Sequence, residues 1–136
     1  MADTAELDFY EQRAPGRNEQ QTVDRQPTRL DGDCAAGTVV GTSSTVDEKV
    51  RIKGSTRVRA RIKGTGTNPD VLLKIVGCLS DGTAASTDIV SQAVTASATE
   101  YSLDYTPWGD KDVIVSVVNQ DASDTYTISY VEVSIL

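Results

Sequence analysis

From residue 37 to the end, the chain is a series of short segments rich in Val, Ile, Thr and Ser, separated by turn signals. These residue types favour strands, and no segment shows the apolar period of a helix. Turn signals include Asn68-Pro69-Asp70 and Ser80-Asp81-Gly82. The pattern predicts eight strands, at 38–42, 46–53, 57–63, 71–78, 88–95, 100–105, 112–119 and 125–135. This rhythm is typical of an all-β fold, an antiparallel β-sandwich that is most simply an eight-stranded jelly roll.

An immunoglobulin-like sandwich is the alternative fold, but its Cys–Trp–Cys arrangement is absent. With 136 residues the chain is long enough for one domain and too short for two. We therefore predict one β-sandwich domain over residues 37–136.

Residues 1–36 differ in composition from the rest and predict an extended polar N-terminal arm. They are rich in Glu, Gln, Asp and Arg, contain Pro15 and Pro27, and show no sustained apolar period. Their apolar content is concentrated at Leu7, Phe9 and Tyr10. This composition fits a disordered tail, and it equally fits an arm that orders only against a partner.

Seven cations occupy alternate positions between residues 49 and 63, in a chain whose net charge is −7. They are Lys49, Arg51, Lys53, Arg57, Arg59, Arg61 and Lys63. The even positions hold Val50, Ile52, Val58, Ala60 and Ile62. Since side chains alternate along a strand, one side should be cationic and the other apolar.

The break at residues 54–56 predicts that this segment is a hairpin ribbon with all seven cations on one face. Such a face can be solvated or internally neutralised, for example to protect a sheet edge from unwanted pairing. It can also bind an acidic partner. Direct nucleic-acid binding is not expected, because domains with that function usually have a basic overall balance.

Two predicted strands are apolar on both faces, or nearly so: 113–118 and 71–76. In an antiparallel sandwich, an apolar outer face is expected to be covered. The N-terminal segment or another subunit could provide that cover.

The chain offers little for catalysis, and we expect it not to be an enzyme. It contains no His, which removes the commonest general base, and no Gly-x-Ser-x-Gly motif accompanies its many Ser residues. Acid pairs such as Asp31/Asp33 and Asp110/Asp112 fall in turns, where Asp is favoured for local hydrogen bonding. Cys34 and Cys78 lack metal-ligand spacing, and whether they form a disulfide stays open. No cofactor or metal site is predicted.

No apolar run is long enough to cross a bilayer, and residues 1–6 do not resemble a secretory signal. We therefore expect synthesis in the cytoplasm and no membrane partner.

Three aromatic residues lie close together in the sequence: Tyr101, Tyr105 and Trp108. Exposed on one surface, they could stack on sugar rings. Alternatively, the two Tyr side chains belong to the core and Trp108 closes one end of the sandwich.

A polar arm at 1–36 followed by an acidic Val/Thr/Ser-rich sandwich at 37–136 resembles the jelly-roll cement, or decoration, proteins of tailed bacteriophage capsids. The resemblance implies a virion structural protein on the capsid exterior that binds the major capsid protein and copies of itself, plausibly as dimers. Leu7, Phe9, Tyr10 and the seven cations would then contact the partner. A carbohydrate- or receptor-binding module of a phage fibre, using Tyr101, Tyr105 and Trp108, is the alternative.

Overall fold

The computed structural model describes residues 21–52, 57–79, 81–107 and 110–136. Ten strands lie in these ranges. They are β1 (Gln21–Thr22), β2 (Thr28–Arg29), β3 (Val39–Val40), β4 (Ser44–Arg51), β5 (Val58–Gly66), β6 (Val71–Cys78), β7 (Ala84–Val94), β8 (Tyr101–Tyr105), β9 (Asp112–Asn119) and β10 (Tyr126–Ile135). All eight predicted strands are present, and β1 and β2 are additional. Within the described residues, no helix has the length and apolar character needed to cross a membrane.

The strands form two sheets that pack face to face. Sheet 1 has the order β1-β4-β9-β6-β7, and sheet 2 has the order β2-β10-β5-β8, with β3 also pairing with β10. The pairing is antiparallel except between β1 and β4. From β4 onward, the chain crosses between sheets at every described connection except the β6–β7 hairpin. The predicted antiparallel jelly-roll sandwich is confirmed.

The core lies between the sheets because the strands alternate apolar and polar residues. In β5, Val58, Ala60 and Ile62 are fully buried. In β9, Val113 and Val115 are fully buried from the opposite sheet. Each fully buried Val or Ile side chain contributes about 1.5–3 kcal/mol, so this alternation determines which face of each strand points inward.

Residues 21–36 belong to the sandwich, which differs from the predicted arm over 1–36. β1 extends sheet 1 and β2 extends sheet 2. Val23, Leu30 and Cys34 are buried in the core. Because these apolar residues are isolated among polar neighbours and show no periodicity, the sequence did not indicate that they are buried. Leu7, Phe9 and Tyr10 lie outside the described residues.

Glu48 fixes the loop that carries Cys34. One of its carboxylate oxygens accepts hydrogen bonds from the backbone N–H groups of Cys34 (2.9 Å) and Gly32 (3.1 Å). Partial burial, and secondarily the charges of Asp31 and Asp33, raise the pKa of Glu48. Burial likewise raises the pKa of the Cys34 thiol. Cys34 and Cys78 are both free and buried, so the question of a disulfide is settled against one.

Candidate functional site on the outer face of sheet 2

The cations of β5 point away from the core. Arg59, Arg61 and Lys63 are half-buried and alternate with the fully buried Val58, Ala60 and Ile62. The predicted division of this strand into a cationic and an apolar side is therefore confirmed.

The predicted hairpin is wrong. β4 pairs with β1 and β9, whereas β5 pairs with β10 and β8 in the other sheet. Both strands turn their apolar sides into the core, so Lys49 and Arg51 lie on the outside of sheet 1, and the cations of β5 lie on the outside of sheet 2. This arrangement buries both apolar sides and separates the like charges, which would be destabilising on one face. Lys53 lies outside the described residues.

Several of these cations are bonded within the molecule. Lys49 donates from Nζ to the carbonyl of Gly82 (2.8 Å), and Arg51 Nε lies 3.4 Å from Asp112 Oδ1. The pair with Asp112 favours internal neutralisation for Arg51, whereas Lys49 is held by a neutral carbonyl.

On sheet 2, Asp104 binds two arginines. Arg59 donates from Nε to Oδ1 (2.7 Å) and from Nη2 to Oδ2 (3.0 Å), which is a bidentate pair. Arg57 Nη2 adds a 3.3 Å contact to Oδ2. These bonds, led by that from Arg59, lower the pKa of Asp104. Both lone-pair-bearing oxygens of this carboxylate are therefore engaged.

Arg61 and Lys63 form no ion pair with any residue in the described ranges. The strand register places Arg61 between Glu132 of β10 and Ser102 of β8, and Lys63 opposite Tyr130. They lie on the outer side of β5 at fixed positions in the sheet, which makes them the available cations of the β5 group.

Tyr130 is the aromatic residue of this face. Its hydroxyl donates to Glu100 Oε2 (2.7 Å), and the guanidinium carbon of Arg29 lies 4.3 Å from its ring centroid. The hydrogen bond to Glu100 raises the pKa of Tyr130. Arg29 is held in turn by Glu132 (Nε to Oε2, 2.9 Å). Tyr130 therefore lies within a bonded polar cluster beside Arg61 and Lys63.

Sequence reasoning missed Tyr130 because a β-bulge reverses the alternation of β10. Strict alternation from the buried Tyr126 and Ile128 would place Tyr130 inward. The register shifts between Ile128 and Tyr130, so Ser129 is the additional residue and Val131 points inward instead. The signal in the sequence is the adjacent pair Tyr130-Val131. Before this pair the inward-facing residues have even numbers (Tyr126 and Ile128), and after it they have odd numbers (Val131 and Val133).

The predicted aromatic surface of Tyr101 and Tyr105 does not form. Tyr105 is buried and donates to Asp110 Oδ2 (2.7 Å). Tyr101 packs against the core, and its hydroxyl accepts the backbone N–H of Ala96 (2.9 Å). Their shared strand face is the inner face of sheet 2, which agrees with the core interpretation. Trp108 lies outside the described residues.

The outer face of sheet 1 is a second notable surface. Its outward side chains include Leu72, Val76, Ile114 and Val118, which are only partly buried, and Ile89, which is 43% exposed. Between these apolar residues runs a polar row in which Ser116 donates to Asp47 Oδ1 (2.6 Å). The predicted apolar character of both faces of β6 and β9 is present, and the outer face retains accessible apolar area.

No protein-family model matches the sequence, and no curated protein is similar to it in sequence. Solved structures do share the fold. The enzymatically active domain of tailspike protein 4 from bacteriophage CBA120 superposes with a TM-score of 0.58 at 13% identity over 81% of this chain. This chain spans only 19% of that one.

Carbohydrate-binding modules share the fold as well. A CBM4 structure gives a TM-score of 0.52 at 18% identity, covering 75% of this chain and 67% of the other. The CBM36-1 domain of a xylanase from the hindgut metagenome of Trinervitermes trinervoides gives 0.50 at 13% identity, covering 81% and 86%. At these identities the likeness establishes a β-sandwich fold of the kind found in carbohydrate-binding modules and a phage tailspike.

Within the described residues, no group of three His, Cys, Asp or Glu side chains is arranged to hold a metal ion. The groups on the outer face of sheet 2 are an aromatic ring, guanidinium and ammonium donors, and carboxylate acceptors. This set suits non-covalent recognition of a polar ligand.

Proposed function

We propose that the chain is a non-catalytic carbohydrate-binding β-sandwich module whose site is the outer face of sheet 2. The observation that carries this proposal is the outward position of Tyr130 beside Arg61 and Lys63, which have no ion-pair partner in the described part of the chain. The fold shared with carbohydrate-binding modules supports it.

The face combines the two kinds of contact that a sugar requires. Tyr130 offers apolar ring surface for the C–H groups of a pyranose. Arg61, Lys63 and the exposed Ser102 offer donors to ring and hydroxyl oxygens.

Arg29 covers part of the Tyr130 ring. Its side chain is 62% exposed, and its pair with Glu132 is a surface ion pair, which contributes only about 0–1 kcal/mol. Displacement of Arg29 by a sugar therefore costs little, and the freed guanidinium adds donors to the site.

A glycan array tests this proposal with wild type, Tyr130→Ala and Tyr130→Phe. We expect a specific glycan signal that Tyr130→Ala abolishes and Tyr130→Phe largely retains, because the ring supplies the main contact. Ile89→Ala serves as the control, since Ile89 is 43% exposed and lies on the outer face of sheet 1. A signal that survives Tyr130→Ala, or no signal with wild type, would refute the proposed site.

A capsid-binding structural protein is the second candidate function, and the apolar outer face of sheet 1 favours it. Partly buried Leu72, Val76, Ile114 and Val118 offer apolar anchoring area, which surface ion pairs alone do not provide. Under this proposal the chain attaches to the exterior of a virion through its major capsid protein or further copies of itself, with Leu7, Phe9 and Tyr10 adding contacts.

Co-sedimentation with viral shells tests this candidate. Ile89→Asp places a charge at the exposed edge of the face without touching the core, and Val39→Asp is its matched control on sheet 2. The candidate predicts that Ile89→Asp and deletion of residues 1–20 both reduce retention on shells while the control does not. Equal retention of all variants, or no retention of wild type, contradicts it.

A further inference from the structure

We propose that the saccharide recognised by the outer face of sheet 2 is acidic, carrying carboxylate groups that bind Arg61 and Lys63. This inference rests on the proposed carbohydrate-binding function and adds the ligand class. The supporting observation is that, among the residues that the structure describes, this face has more cationic donors without an ion pair than carboxylates without a bonded donor.

Each described carboxylate near Tyr130 already accepts an intramolecular donor. Asp104 is bound by Arg59 and Arg57, Glu132 by Arg29, and Glu100 by the Tyr130 hydroxyl. Both oxygens of Asp104 are engaged, and Glu132 and Glu100 each accept at Oε2, so the acceptors of this face are already partly used.

By contrast, two cationic donors on this face are not paired with any described carboxylate. Arg61 and Lys63 make no ion pair within the described residues, and Arg61 carries five N–H donors in a planar fork suited to a carboxylate or sulfate. The groups left over on this face are therefore cationic donors, and their complement is an anion.

The spacing suits an extended ligand with repeated charge. Arg61 and Lys63 lie two positions apart on one strand, so their Cα atoms are separated by roughly 7 Å. Tyr130 lies directly opposite Lys63 across the β5–β10 pair. A saccharide placed along β5 would reach both cations while its ring contacts Tyr130.

The charge density of DNA argues against it as the ligand. The net charge of the chain is −7, so a densely charged polyanion is repelled at long range, whereas a saccharide with spaced acidic groups needs only the local contact with two cations. Nucleic-acid binding also depends on many phosphate contacts at once, whereas the described part of this face has two cations without an ion pair.

The test compares binding of the intact chain to an array of acidic bacterial polysaccharides and to the same polysaccharides after chemical reduction of their carboxyl groups. Reduction keeps the sugar rings and linkages but removes the charge. We expect reduction to weaken binding about tenfold or more, since hydrogen bonds to charged groups contribute about 1.5–3 kcal/mol.

The protein side of the test uses the double variant Arg61→Gln/Lys63→Gln, which keeps an unbranched polar side chain that can donate hydrogen bonds but removes both charges. It should lose the preference for the acidic form, whereas Arg25→Gln, a change at an exposed arginine outside this face, should keep it. Arg61→Lys should retain part of the preference because the charge remains. Thermal denaturation establishes that each variant is folded.

The outcomes separate this inference from the proposed function. Equal binding of native and reduced polysaccharides, abolished by Tyr130→Ala, would overturn the acidic class and leave the carbohydrate function standing. No binding to any saccharide would overturn both. Binding of polyglutamate or DNA as tight as that of the polysaccharide would show plain charge attraction, and would also overturn the inference.

Discussion

Gly64→Ala is the substitution whose effect follows most directly from the packing of the site. A Cβ atom at residue 64 would lie 2.5 Å from the carbonyl oxygen of Thr127 and 2.5 Å from Cζ of the Tyr126 ring. Ordinary contacts begin at 3.4 Å, so both neighbours would have to move. Tyr126 is 1% exposed and the oxygen belongs to the backbone of β10, so neither can yield freely.

The expected cost is that of overpacking a tight core, about 2–3 kcal/mol. For a domain of this size that corresponds to a fall in the melting temperature of roughly 6–15 °C. Gly64 also pairs with Ile128, immediately before the bulge that turns Tyr130 outward opposite Lys63. The same change should therefore weaken ligand binding by disturbing this register.

Thermal and chemical denaturation measure the stability, with Gly41→Ala as the control. A Cβ at residue 41 meets only Ser44, at 3.4 Å or more, so the control should change stability by less than about 0.5 kcal/mol. If Gly64→Ala is as stable as Gly41→Ala, β5 and the Tyr126 ring do not approach each other this closely, and the strand register proposed for the site is wrong.

Three further changes test the interior. Asn119→Ala should cost about 1–3 kcal/mol in denaturant unfolding, because the Asn119 side chain bonds three backbone carbonyls and one backbone N–H at one end of the sandwich; a neutral result would contradict this. The raised pKa of Glu48 means that the native state binds its proton more tightly, so the stability contribution of this residue falls as pH rises above about 4.5. Glu48→Gln should flatten that dependence, and an unchanged pH profile would refute the assignment. Burial raises the pKa of Tyr126 to about 12, so stability should decline from pH 10 to 12, and Tyr126→Phe should remove that decline without weakening the fold at neutral pH.

The sequence predicted the eight principal strands because their apolar alternation also determines burial. In β5, apolar and polar residues alternate from Val58 to Lys63, and the same residues alternate between the core and the outer face. The predicted strand boundaries were less accurate. β7 begins at Ala84, four residues before the predicted position, in a stretch without marked alternation. β1 and β2 are two residues each, too short to show any period.

The site was harder to predict because it depends on which strands are neighbours. Alternation placed the cations of β4 and β5 on one side of each strand, but it carried no information on whether the strands pair in one sheet or face each other across the core. The turn residues at 54–56 favoured pairing, whereas burial of both apolar sides favoured opposite sheets. The outward position of Tyr130 depends on a single inserted residue, Ser129. Tyr101 and Tyr105 lie on the inner face of β8 and therefore form no outer aromatic surface.

The most direct test of the account is to map the ligand contact by NMR, from the backbone amide shifts that change when a bound glycan from the array is added. The account predicts that the changes cluster on the outer positions of β5, β8 and β10, around Arg61, Lys63, Ser102, Tyr130 and Glu132. Changes centred on the outer face of sheet 1, around Val76 and Ile114, would contradict the assignment of the binding site to sheet 2.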